Sequence, residues 1–210
     1  YDGKNVFPVL QMISSTLEMR PLLRVKTKDQ DMVQEAIGKW YNDLLMDEPN
    51  VYDIDYPEFM NSIKTALFFD AWMNECTEDY LFETYGIRPG EIRMKIESAI
   101  WLLYAASELA RLQDKKEMVR QLHKIRLRVK NGVKEELLPL LQIKGVGRVR
   151  ARKLVMNGVT NIGDLKKVDI VTLSQIVGTS LATSLKKQVG ENIEVISPRK
   201  RKGQMSLKKY

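Results

Sequence analysis

Apolar residues recur along this chain at three- and four-residue spacing, the mark of helices that bury one face. Residues 6–15 are apolar enough for a buried first helix. Over residues 29–46, Met32, Val33, Ala36, Ile37, Trp40, Leu44 and Leu45 share a face, and Asp29 is placed to cap the start. Asp47-Glu48-Pro49-Asn50 breaks the pattern. Pro57 suits the first turn of a third helix, and Ala66-Leu67-Phe68-Phe69 with Ala71-Trp72-Met73 makes that helix apolar nearly all round. Residues 77–85 form a short helix closed by Gly86. The longest element spans residues 91–112, with Ile92, Ile96, Ala99, Ile100, Leu103, Ala106, Leu109 and Ala110 as its core stripe. A basic helix over residues 115–129 ends at Asn131-Gly132. No alternating pattern lasts long enough to predict a sheet. The expected class is all-α: a helical bundle over residues 1–132, a helix-hairpin-helix domain over 133–192, and a basic, disordered tail over 193–210.

The hairpin is read from Lys144-Gly145-Val146-Gly147-Arg148-Val149-Arg150-Ala151-Arg152-Lys153-Leu154. Residues 133–143 form its first helix. Gly145 and Gly147 flank Val146 in a tight turn, where glycine tolerates positive φ and close backbone approach. Ala151 and Leu154 then fall four and seven residues after Gly147, as one apolar helix face requires. The turn amides and the following helix start can hold a DNA phosphate. Arginines at a helix start oppose the helix dipole, so Arg148, Arg150 and Arg152 there speak for an anionic ligand. Lys144 and Lys153 join them as candidate DNA contacts. An ordinary αα-hairpin also favours glycine. Residues 169–189 read as a second, weaker hairpin with Gly178 alone at its turn, a degenerate repeat of the first.

Charge sharpens this picture. Of 210 residues, 44% are hydrophobic and 29% charged, as in globular proteins. The net +7 hides an asymmetry: residues 1–110 carry 10 Lys and Arg against 19 Asp and Glu, whereas residues 111–210 carry 24 against 8. A basic half of that size is the electrostatic footprint of a nucleic-acid binder. No apolar run approaches a membrane span and no signal peptide is visible. The chain starts at Tyr1 rather than Met, so a longer protein is expected around it. Cys76 is the only cysteine, read as a small buried residue, and His123 the only histidine. No disulfide and no histidine-based metal site or triad can therefore be assembled. There is no Gly-x-x-x-x-Gly-Lys-Ser/Thr loop. Asp53/Asp55 and Glu135/Glu136 are too closely spaced to converge on a helix. Neither catalysis nor a bound cofactor is expected of this chain itself.

Two further features carry binding chemistry. On the long helix, Arg93 and Trp101 lie about 80° apart at ~100° per residue, so both can border one surface, with Lys95 nearby. An aromatic ring beside a cation can stack a base of single-stranded DNA, a contact of roughly 1–3 kcal/mol. Tryptophans in apolar helices are more often core, as Trp40 and Trp72 are expected to be. In the tail, Gln204, Leu207 and Tyr210 are spaced to enter an apolar pocket on a partner as one helical turn.

The run Gly132-Val133-Lys134-Glu135-Glu136-Leu137-Leu138, followed by Ile143 and the arginine-rich hairpin, resembles the C-terminal module of archaeal superfamily 2 DNA repair helicases of the Ski-like group. These are relatives of the helicase part of DNA polymerase theta. Tyr85-Gly86-Ile87, Pro89-Gly90-Glu91-Ile92-Arg93, Glu97, Ala99 and Trp101-Leu102 resemble that family's ratchet helix. The likeness covers about residues 17–189. It implies an ATP-dependent 3′→5′ helicase acting at stalled forks and in recombination repair, with ATP and Mg2+ bound by motor domains that precede Tyr1. The bundle would be the ratchet, with Trp101 against the translocating strand, and the hairpin domain would grip the exiting 3′ tail. Where that family has an arginine seven residues before the ratchet tryptophan, this chain has Met94 between Arg93 and Lys95. The tail resembles sliding-clamp or single-strand-binding-protein peptides but stops one aromatic short of the fuller clamp pattern. The implied partners are single-stranded and forked DNA and one of those two proteins. The implied setting is cytoplasmic and nucleoid-associated, without membrane, as a monomer. Two alternatives stay open at this point: a protein-interaction scaffold, and an accessory domain of a structure-specific nuclease.

Overall fold

A computed structural model describes residues 5–190. Among them are eleven α-helices and no strand. The chain divides into two compact units, Tyr1–Leu138 and Pro139–Tyr210. The tail residues Gln204, Leu207 and Tyr210, and the expected disorder around them, lie outside the described residues.

The first unit contains α1 (Phe7–Ser14), α2 (Gln30–Trp40), α3 (Tyr56–Met73), α4 (Glu78–Tyr85), α5 (Pro89–Leu112) and α6 (Lys116–Asn131). Helix α3 is central and packs against α1, α2, α4 and α6, while α5 lies along α6. Phe68, Phe69, Ile63 and Met73 of α3 are fully buried, with Leu10, Val33, Leu81, Leu103 and Ile125 from the surrounding helices. Local signals set the boundaries. Thr77 caps α4 by accepting from the Tyr80 N–H at 3.2 Å, and Gly86 ends it with φ +72°. Pro89 opens α5, and the Glu91 carboxylate accepts from the Arg88 N–H at 2.9 Å.

Several expectations are corrected here. Helix α2 stops at Trp40 instead of running to residue 46. Tyr41-Asn42-Asp43 are weak helix formers, and the N–H groups of Asp43 and Leu44 both turn back to the Trp40 carbonyl. Leu45 is consequently exposed. Leu109, expected in the core stripe of α5, is also exposed. Residues 133–143 form a 3-10 turn, Glu135–Leu137, and a short helix α7, Leu138–Leu141, instead of one long helix. Trp40 and Trp72 pack against the core as expected, though each is partly exposed, and Cys76, read as buried, is also only partly buried. Asp29 does not cap α2 with its side chain.

Asp29 instead sits buried against Lys64, with Nζ to Oδ2 at 2.7 Å. Burial pushes its carboxyl pKa up, but bonds from Lys64 and the Lys26 N–H, with the ammonium charge, outweigh that and hold it below the usual 3.8. Lys64 also donates to the Arg24 carbonyl at 2.9 Å. Lys95 does the same work one turn of chain away, donating to the carbonyls of Met19 and Pro21. Two buried ammonium groups thus tie the segment between α1 and α2 to α3 and α5, satisfying carbonyls that no helix satisfies.

The end of α6 is held just as firmly. Gly132 terminates it with φ +61°, and its α-carbon lies against the Trp72 ring. A methyl group there would approach that ring to 2.6 Å. The ring is fixed by an Nε1–H bond to the Val129 carbonyl at 2.7 Å. The Lys134 N–H then donates to Glu75 at 3.1 Å.

The second unit contains α8 (Arg148–Met156), α9 (Ile162–Lys167), α10 (Ile170–Val177) and α11 (Thr179–Gln188). Leu140, Ile143, Val146, Leu154, Leu165, Leu173 and Leu185 form its buried side. Asn161 and Asp169 cap α9 and α10 by accepting from the N–H groups of Asp164 and Thr172.

One substitution type should give opposite signs at two sites in the first unit. Gly38→Ala, on an exposed helix position with open space around it, should raise stability by about 0.5–1 kcal/mol. Gly132→Ala should lower it by about 2 kcal/mol or more, from positive-φ strain plus the Trp72 clash. Urea unfolding of both variants checks this; equal effects would contradict the packing described.

Candidate nucleic-acid interface

The glycine turn before α8 is built from two glycines with different tasks. Gly145 has φ +90°, and a methyl group there would meet Leu181 Cδ1 at 3.0 Å. Gly147 is the N-cap of α8 in an extended conformation, φ −98° and ψ −179°, with open space where a methyl group would go. Between them Val146 is buried and anchors the turn. The peptide of Lys144 is gripped from both sides by Gln188, whose Oε1 accepts from its N–H and whose Nε2 donates to its carbonyl, each at 3.1 Å. The turn is therefore braced by α11 as well as by its own helices.

Gly178 repeats the arrangement. Its carbonyl accepts from the Ala182 N–H at 3.0 Å, as the Gly147 carbonyl accepts from Ala151 at 2.9 Å. Leu185 and Leu154 each follow by three more residues, and all four apolar residues are buried. The weaker hairpin read from the sequence is thus a geometric repeat. The start of α11, however, is Thr179-Ser180-Leu181, without charge.

The three arginines do not form one cluster. At about 100° per residue, Arg148 and Arg152 share one flank of α8, and Arg150 and Lys153 share another. Arg148 and Arg152 are half-buried, whereas Arg150 and Lys153 are exposed. Arg150 curls back over the turn, donating from Nη1 to the Gly145 carbonyl at 2.8 Å. This places its guanidinium beside the start of α8. Lys144 is exposed on the same turn. The first amides of a helix have no intrahelical acceptor, and Gly147 offers no side chain to cap them. An extended glycine with open space before such amides can admit an oxyanion.

In the first unit, α5 presents an exposed stripe. Trp101 is 57% exposed, and Met94 lies on the same side two turns earlier. Arg93 is exposed and pairs with Glu97 at 3.2 Å. Lys95 is a correction: it is only 9% exposed, and its ammonium is spent on the Met19 and Pro21 carbonyls. Burial pushes its pKa below the usual lysine value, an effect only partly offset by Glu91. It does not join Arg93 and Trp101 on the open face and cannot contact DNA there. Two residues missed in the sequence lie on that face instead. Tyr104 is 48% exposed, and the Arg126 guanidinium of α6 sits 5.3 Å from its ring centroid. Tyr104 follows Trp101 by three residues, a spacing that signals a shared helix face. Arg126 carries no such signal, because the pairing of α5 with α6 is not written in either helix alone.

Among the described residues, no group of three His, Cys, Asp or Glu side chains could hold a metal ion. No helix among them is long and apolar enough to cross a membrane.

Residues 7–132 match the family described as archaeal helicase, domain 4. Residues 137–190 match the SAM-like helix-hairpin-helix tandem. The chain is similar to an ATP-dependent DNA helicase Hel308 from Methanocella arvoryzae, at 32% identity over 196 residues, 91% of this chain and 26% of the relative. A protein of the same name from Caldivirga maquilingensis is 37% identical over 183 residues, 83% of this chain and 24% of the relative. One from Pyrococcus abyssi is 33% identical over 205 residues, 95% and 28%. The chain spans about a quarter of the length of these relatives.

The two turn glycines should respond differently to the same change. Gly145→Ala should destabilise the hairpin unit by about 1–3 kcal/mol, through positive φ and the Leu181 contact. Gly147→Ala should cost less than about 1 kcal/mol, the usual difference between glycine and alanine at an N-cap. Thermal unfolding of the two variants separates these cases; a larger loss at Gly147 would contradict the assigned roles.

Proposed function

Because the chain belongs to the archaeal helicase domain 4 family, we propose that it is the DNA-holding part of an ATP-dependent DNA helicase. It grips single-stranded DNA through phosphate contacts at the glycine turn and base stacking on α5. The observation that supports this most strongly is the open N-cap of α8 with Arg150 and Lys153 exposed beside it. Lys144 adds charge at the turn, and Arg148 and Arg152 add it on the other flank. Phosphate contacts carry no base information, so binding is independent of sequence and strongly salt-dependent.

The chain has no Gly-x-x-x-x-Gly-Lys-Ser/Thr loop, so strand movement would be driven by a motor elsewhere in the parent protein, using ATP and Mg2+. Each motor stroke would draw the strand past α5, where stacking on Trp101 resists back-slip. The hairpin unit would hold the exiting 3′ tail. Forked DNA at stalled replication and recombination sites is the substrate in this reading, and the nucleoid is its setting. The tail residues Gln204, Leu207 and Tyr210 would tether the helicase to a sliding clamp or single-strand-binding protein.

One observation favours a second reading, a protein-interaction scaffold. Residues 41–58 hold six carboxylates and no Lys or Arg. Within them Tyr52 is 93% exposed and Ile54 92%. The loop is shaped by Asn50, which accepts from the Tyr52 N–H at 3.0 Å, and by Asp53, which accepts from the Asn50 N–H at 2.9 Å. Such a surface repels DNA and suits a basic protein partner.

The two readings part over salt. Each phosphate neutralised on a single strand contributes about 0.7 to the slope of log affinity against log salt. Arg150→Ala/Lys153→Ala should therefore reduce that slope by roughly 1.4, with only a small fall in thermal stability from the lost, exposed Arg150–Gly145 bond. An unchanged slope in fluorescence anisotropy titrations would sink the phosphate assignment.

A further inference from the structure

The geometry points to Tyr104 and Arg126 as a second nucleotide-binding unit beside Trp101, taking the next unpaired nucleotide of the same strand. This rests on the reading of α5 as a base-stacking surface. Tyr104 lies three residues beyond Trp101, about 4.5 Å further along the axis and about 60° around it. At the ~5–6 Å radius of a helix with its side chains, that rise and rotation set the two rings roughly 7 Å apart, about the backbone step between successive nucleotides of an extended single strand.

Charge on this face is arranged to suit the phosphate between them. Its two carboxylates are each answered by an arginine: Glu97 by Arg93 at 3.2 Å, and Glu108 by Arg111 at 3.0 Å. On α6, Arg120 is likewise paired with Glu117. Arg126 is different: among the described residues no carboxylate pairs with it, and it rests on the Tyr104 ring. The guanidinium lies within the ~6 Å reach of a cation–π contact and steadies the ring before any ligand arrives. About half of Tyr104 remains open to solvent, so a base can stack on the ring while the phosphate beside it meets Arg126. Every base offers a flat face, so the unit takes any two successive unpaired nucleotides. Duplex DNA is excluded because its base faces are already stacked.

The test uses the 210-residue chain with two fluorescent probes, a short oligothymidylate and an abasic strand of equal length. The ratio of the two affinities isolates stacking from phosphate contact. Tyr104→Ala should lower that ratio by roughly fivefold or more, and Tyr104→Phe should preserve it. Arg126→Lys keeps the charge but loses the planar group, so it should lower the ratio and leave abasic binding unchanged. If Trp101→Ala lowers the ratio and Tyr104→Ala does not, the second unit is refuted and the α5 reading stands. If neither lowers it, both fall. Circular dichroism of each variant shows that its helices are intact.

Discussion

The rotation of α5 about its own axis depends on one buried ammonium group. Lys95 must meet the carbonyls of Met19 and Pro21, because a charge taken out of water without partners is prohibitively costly. With Lys95 turned inward, Tyr104 lies about 180° round the helix and Trp101 about 120° round. Both rings are therefore directed to solvent by the same contact that closes the core. The apolar residues Ile92, Ala99, Leu102 and Leu103 hold α5 to the same rotation, since turning it would expose large buried side chains at roughly 1.5–3 kcal/mol each. The exposed aromatic stripe follows from that constraint.

The same economy operates in the hairpin unit. Lys186 is buried and donates to the Lys166 carbonyl at 2.8 Å, so it braces the fold instead of facing solvent. Gln188 spends both ends of its amide on the Lys144 peptide. A rigid turn matters for holding a phosphate, since groups already in place lose little freedom on binding. The basic excess of the second half thus overstates its outward field, because part of it is structural. What remains at the turn is Lys144, Arg150 and Lys153, grouped by the geometry of α8.

Periodicity made most of the fold legible. The all-α class, the buried α3, the long α5 and the glycine hairpin with its weaker repeat could all be read from spacing. Lys95 could have been placed as well. It falls with Ile92, Ala99 and Leu102 on one face, and that face is buried. Its charge argued for the surface, and only the Met19–Pro21 carbonyls explain why it is not there. The arginines of α8 looked like one patch in linear order, although about 100° per residue divides them into two flanks. Asp29 resembled an N-cap, yet its partner is Lys64, 35 residues away. Long-range pairs of this kind, like Arg126 over Tyr104, leave no local trace in a sequence.

The central claim is that this chain holds single-stranded DNA through both phosphate and base contacts. It is tested most directly by titrating the chain with single-stranded and duplex DNA across a salt series, following anisotropy and tryptophan emission together. The account predicts preferential single-strand binding that weakens steeply with salt and quenches tryptophan fluorescence. Equal affinity for duplex without quenching, or no binding at low salt, would contradict it.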